Sequence, residues 1–67
     1  MTKRQAQLLD FIRSYVAEKG YSPSFDEMRL TLGLRSKSGV HRSVDALVAH
    51  GKVRRTPFRA RSVEVVA

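Results

Sequence analysis

Residues 35–50, Arg-Ser-Lys-Ser-Gly-Val-His-Arg-Ser-Val-Asp-Ala-Leu-Val-Ala-His, decide how the chain is read. Val40, Val44, Leu47 and Val48 stand at i, i+4, i+7 and i+8, the spacing of one buried stripe on a helix. At 3.6 residues per turn, Ser38, Arg42, Asp45 and Ala49 then fall on the opposite face, with Gly39 beside them and His41 at the edge. A helix that opens on small polar residues, flanked by Arg35, Lys37 and Arg42, suits entry into a DNA major groove. A solvated helix face carries the same pattern, so the segment alone leaves both readings open.

Working outward, Ser24-Phe-Asp-Glu27 has the form of a capping box and predicts a second helix over about 25–32, with Phe25, Met28 and Leu32 buried. Asp26 and Glu27 suit the positive end of that helix better than a catalytic carboxylate pair. Gly33 ends it, Leu34-Arg35-Ser36 turns the chain, and Ser36 is placed to cap a recognition helix over about 37–50, which Gly51 closes. Two short helices joined through a glycine turn form a helix-turn-helix. Upstream, Thr2-Lys-Arg-Gln5 is another capping box. Leu8, Leu9, Phe11, Ile12, Tyr15 and Val16 follow at helical spacing, and Gly20 stops a first helix of about 3–19. Its charged face (Arg4, Asp10, Arg13, Glu18, Lys19) mixes signs and reads as facing solvent. Downstream, residues 52–56 and 62–66 are rich in β-branched residues, with Val53, Val63 and Val65 inward; Phe58, Arg59 and Arg61 lie in the loop between them. The reading is a mainly α (α+β) winged helix-turn-helix, one domain over 1–67 with its wing at about 52–66. Phe58 is expected to pack under the hairpin.

A chain of 67 residues buries a modest core and forms one domain at most. With no cysteine and two histidines, it offers neither disulfides nor a metal site. No secretory or membrane-spanning segment is visible, so a soluble cytoplasmic protein without membrane contact is expected. The net charge of +7 is uneven: residues 1–34 carry five basic and four acidic groups, and residues 35–67 eight basic and two acidic. That half therefore suits a polyanion. No pocket-forming constellation suggests an enzyme, a cofactor or a small-molecule ligand, and no aromatic platform suggests single-stranded RNA.

Ser-Pro-Ser-Phe-Asp-Glu-Met (22–28), Leu-Gly-Leu-Arg-Ser-Lys-Ser-Gly-Val-His-Arg (32–42) and Arg-Arg-Thr-Pro-Phe-Arg-Ala-Arg-Ser-Val-Glu-Val (54–65) resemble the N-terminal DNA-binding domain of LexA repressors, especially those of alphaproteobacteria. The resemblance covers nearly the whole chain. It implies a repressor of the SOS response to DNA damage that binds a double-stranded operator as a homodimer, the isolated domain being monomeric. It places base reading on Ser36, Ser38, Gly39, His41 and Arg42; the helical wheel agrees for Ser38, Gly39 and Arg42. Family members usually continue into a self-cleaving domain with a serine nucleophile and a lysine. Nothing after Ala67 supplies it, and the adjacent Ser36, Lys37 and Ser38 do not form such a dyad. The chain is therefore expected to be either a domain of a full repressor acting at the bacterial nucleoid or a naturally short phage- or plasmid-borne relative. Such a relative would regulate through protein contacts.

For this partner the expected base readers are Ser38, Gly39, His41 and Arg42. Arginine can bond guanine bidentately, and glycine permits close approach. Arg35, Ser36, Lys37, Lys52, Arg59 and Arg61 are expected at phosphates. Asp45 is expected at the groove margin or accepting from cytosine, and the His50 side chain near the last helical carbonyls.

Overall fold

The computed structural model describes residues 1–56 and 63–66 of the chain. The first helix, α1 (Lys3–Lys19), starts from a closed end: Gln5 N–H donates to Thr2 Oγ1 at 3.2 Å, and Thr2 N–H donates to Gln5 Oε1 at 3.0 Å. The same reciprocal pair opens α2 (Phe25–Leu32), where Glu27 N–H donates to Ser24 Oγ and Ser24 N–H to Glu27 Oε1. Tyr15 of α1 donates its hydroxyl proton to the other Glu27 oxygen, so one carboxylate both starts α2 and ties it to α1.

Two glycines make the turns that set the third helix, α3 (Lys37–Ala49). At Gly33 (φ 68°) the Leu34 N–H reaches back to Arg29 O at 3.0 Å; at Gly51 (φ 72°) the Lys52 N–H reaches Leu47 O at 2.9 Å. Both are left-handed closures that a Cβ would strain. The Arg29 guanidinium braces the first by donating to Leu34 O at 3.2 Å. At the far end, His50 is held through its backbone N–H, which donates to Ala46 O; its imidazole makes no hydrogen bond among the described residues, contrary to expectation.

Leu8, Leu9 and Ile12 of α1, Met28 of α2, Val40, Val44 and Leu47 of α3, and Val53 and Val63 form the core, with Phe11, Val16, Phe25, Leu32, Leu34 and Val65 packed around it. One member of the expected stripe is misplaced. Val48 is 40% exposed, and Ser43 is buried instead, at 6%. Ser43 lines a shallow depression together with Arg42 and the first turn of α1. Burial of that hydroxyl is tolerated because it donates to Gly39 O at 3.0 Å.

After α3 the chain forms an antiparallel pair, β1 (Val53–Arg55) and β2 (Val63–Val65), in the register Val53↔Val65, Arg54↔Glu64, Arg55↔Val63. Three helices followed by this pair make a winged helix-turn-helix. Side chains alternate along a strand, so Arg55 shares the inward face with Val53. No helix among the described residues is long and apolar enough to cross a membrane.

Candidate nucleic-acid interface

The start of α3 differs from the other two helix starts. Ser36 stands at the N-cap position with extended backbone (φ −138°, ψ 160°), yet its side chain makes no capping bond. Its hydroxyl lies 2.7 Å from the Ser38 hydroxyl instead. The expected cap is therefore absent. The third helical residue is Gly39, so no glutamate or glutamine can complete the box found at Thr2 and Ser24. Every α-helix leaves its first N–H groups without intrahelical partners, and among the described residues no side chain takes them here.

Exposed Arg35, Ser36, Lys37 and Ser38 surround that open end. Lys37 Nζ lies 3.5 Å from Asp26 Oδ2, and Arg29 Nε lies 3.5 Å from the other oxygen, Asp26 Oδ1. Both side chains of the Lys37–Asp26 pair are more than half exposed, at 54% and 57%. Such a pair holds by at most about 1 kcal/mol and gives way to a stronger anion. Arg42, exposed one turn on, lines a shallow depression with Thr2, Lys3, Arg4, Gln5 and Ser43. Sequence reasoning read Arg4 as part of a solvent face. Arg4 is exposed, and the approach of α1 to α3 also sets Lys3, Arg4 and Arg42 around one depression, which no local pattern signals. Lys52 is exposed beyond the opposite end of α3, which puts it roughly 20 Å along the helix from Arg35 and Lys37. Arg59, Arg61 and Phe58 lie outside the described residues.

The middle of the helix is occupied by contacts within the chain. The Phe25 and His41 rings are 4.5 Å apart at a 55° tilt. Arg55 reaches from β1 to both helices: Nη1 donates to Asp45 Oδ1 at 2.8 Å, Nη2 lies 2.9 Å from His41 Nδ1, and the guanidinium sits 5.3 Å from the centre of the Phe25 ring. Sequence reasoning assigned Arg55 no role. The signal was its place two residues after Val53, on the inward face of the strand. Asp45, expected at the groove margin or on cytosine, has one carboxylate oxygen committed to Arg55.

Gly39 has an intrachain neighbour too. A Cβ there would lie 2.9 Å from Leu34 Cδ1, so the residue lets the α2–α3 turn pack against the helix. Of the sequence-derived site residues, the fold gathers Arg35, Ser36, Lys37, Ser38 and Gly39 at one end of α3 and sets Arg42 beside α1. His41 it engages with α2 and the wing.

The profile of a family described as the LexA DNA binding domain matches residues 1–62. The chain is 52% identical over 66 residues to a LexA repressor of Ruegeria sp. (strain TM1040), and 52% identical over 66 residues to one of Cereibacter sphaeroides (strain ATCC 17029 / ATH 2.4.9). Each match covers 98% of this chain but 27% and 29% of the relative, so the chain spans less than a third of the length of these relatives.

Proposed function

The chain belongs to the LexA DNA-binding domain family, and from that footing we propose that it is the operator-binding part of a LexA-type repressor, laying α3 in the major groove of double-stranded DNA. The observation that carries this reading is the uncapped, cation-flanked start of α3. Open N–H groups and the helix dipole together favour a phosphate at that place. Arg35 and Lys37 attract the same strand, while Lys52 meets the backbone at the other end; Arg59 and Arg61, outside the described residues, add phosphate contacts on the strength of the sequence alone. These contacts fix register without reading sequence. Ser38 and Arg42 face the bases, Arg42 donating to guanine O6 and N7. His41 reads from the flank, and Gly39 keeps the first turn narrow. The target is an operator of the DNA-damage response, at the nucleoid of a bacterium or under a phage-encoded relative.

One domain of this kind buries only about 600–1,000 Å² on DNA. The proposal therefore includes two copies on a two-fold-related site, as homodimeric helix-turn-helix repressors bind. Fluorescence anisotropy against a duplex selected from a random library by this chain tests the reading. About five neutralised phosphates per copy give a log–log salt slope near −4.5 for each copy bound. Binding that ignores salt, or selection that enriches nothing, removes DNA as the partner and leaves a protein-contact role in its place.

A further inference from the structure

We infer that Arg55 fixes the ring proton of His41 on Nε2, so that His41 meets DNA as a hydrogen-bond donor and selects base edges that present an acceptor. The inference rests on the DNA-binding reading above and adds to it a residue that sets specificity from outside the recognition helix.

A guanidinium has donors only and stays charged in proteins. With Arg55 Nη2 2.9 Å from His41 Nδ1, the histidine nitrogen must supply the lone pair. A neutral imidazole has one N–H, so the proton belongs on Nε2. Three contacts hold the guanidinium in place: Asp45 Oδ1 at 2.8 Å, His41, and the Phe25 ring at 5.3 Å. The same Phe25 ring packs on the imidazole at 4.5 Å and limits its rotation. Nε2 has no hydrogen-bond partner among the described residues, and it is the corner of the ring left for a ligand. Its donor fits guanine O6 or N7, adenine N7, or thymine O4, and fails against the amino group of cytosine. The same arginine offsets the Asp45 carboxylate, which would otherwise repel the phosphates. Without Arg55 the imidazole is free to place its proton on either nitrogen, and the donor-only identity of that ring corner is lost.

Two measurements on the chain test this. In ring ¹H–¹⁵N spectra of histidine-labelled protein, His41 shows a bare Nδ1 and a protonated Nε2, and Arg55→Met gives a mixture of tautomers. A protonated Nδ1 in the unmodified chain overturns the inference without reference to any variant. In parallel selections from a random duplex library, the unmodified chain prefers one base pair at one position. His41→Ala and Arg55→Met both flatten it, with a loss of roughly three- to tenfold on the preferred duplex, as for one hydrogen bond. A His41-dependent preference that survives Arg55→Met overturns the inference. If sequences are enriched but no position depends on His41, the inference alone fails; if nothing is enriched, the DNA reading fails with it.

Discussion

Ser24 and Ser36 occupy the same position at the starts of the two helices of the helix-turn-helix, and the chain uses them differently. Ser24 exchanges hydrogen bonds with Glu27, and its helix start is finished within the chain. Ser36 turns to the Ser38 hydroxyl, Gly39 stands where a glutamate would close the box, and the helix end stays open beside Arg35 and Lys37. A closed cap is worth about 0.5–2 kcal/mol, so leaving one unmade forgoes stability in a small domain. The difference teaches that a serine at the same position can either close its helix within the chain or leave the first N–H groups of the helix open.

The contrast breaks most completely if the open end is filled. Gly39→Glu supplies the missing capping partner and a negative charge. The added cap and the displaced Leu34 methyl should offset each other to within about 1 kcal/mol in urea denaturation. Affinity for any duplex should fall on the order of hundredfold, since facing like charges cost several kcal/mol. Unchanged affinity in an anisotropy titration would show that this end of α3 does not face DNA.

Arg42→Ala should lower affinity for the selected duplex about tenfold, within the ~1–3 kcal/mol of a bidentate base contact, and leave scrambled DNA unaffected. Equal losses on both duplexes would reassign Arg42 to the phosphate backbone beside Lys3 and Arg4. Ser24→Ala should cost about 1 kcal/mol and lower Tm by roughly 4–8 °C in a circular-dichroism melt, with affinity intact while the chain is folded. Ser36→Ala is the smallest and most discriminating change: Tm should move by less than about 2 °C, because no cap is lost, and affinity by no more than about threefold. A Tm loss matching that of Ser24→Ala would abolish the distinction between the two helix starts.

The architecture was legible because its punctuation is local. Thr2 with Gln5, Ser24 with Glu27, and the left-handed glycines at 33 and 51 state helix ends in three or four residues each. The apolar stripe of α3 was legible as a period but not as a boundary. Val48 fits the spacing as well as Val44 does, and the spacing alone does not say that Val48 stays outside while Ser43 is buried. The open end of α3 was half legible. The cations and serines stand in the sequence, but a serine before a helix reads as a cap, and the Ser36–Ser38 contact that replaces the cap is a choice of rotamer. Arg55 was missed for a different reason. A three-residue strand is too short for alternation to declare itself, and an arginine in a basic segment invites a ligand rather than Asp45 and His41 as partners.

The double duty of Glu27 bears on how the molecule comes apart. α2 has eight residues, below the ~12–15 at which an isolated helix begins to persist in water. Its capping carboxylate is also the acceptor for Tyr15 of α1, so undocking α1 loosens the first turn of α2 in the same event. The short helix therefore leans on its docking to α1, and its interior amides should be protected from exchange nearly as well as those of α1. The platform beneath α3 is then only as firm as the α1–α2 contact that Tyr15 and Glu27 make.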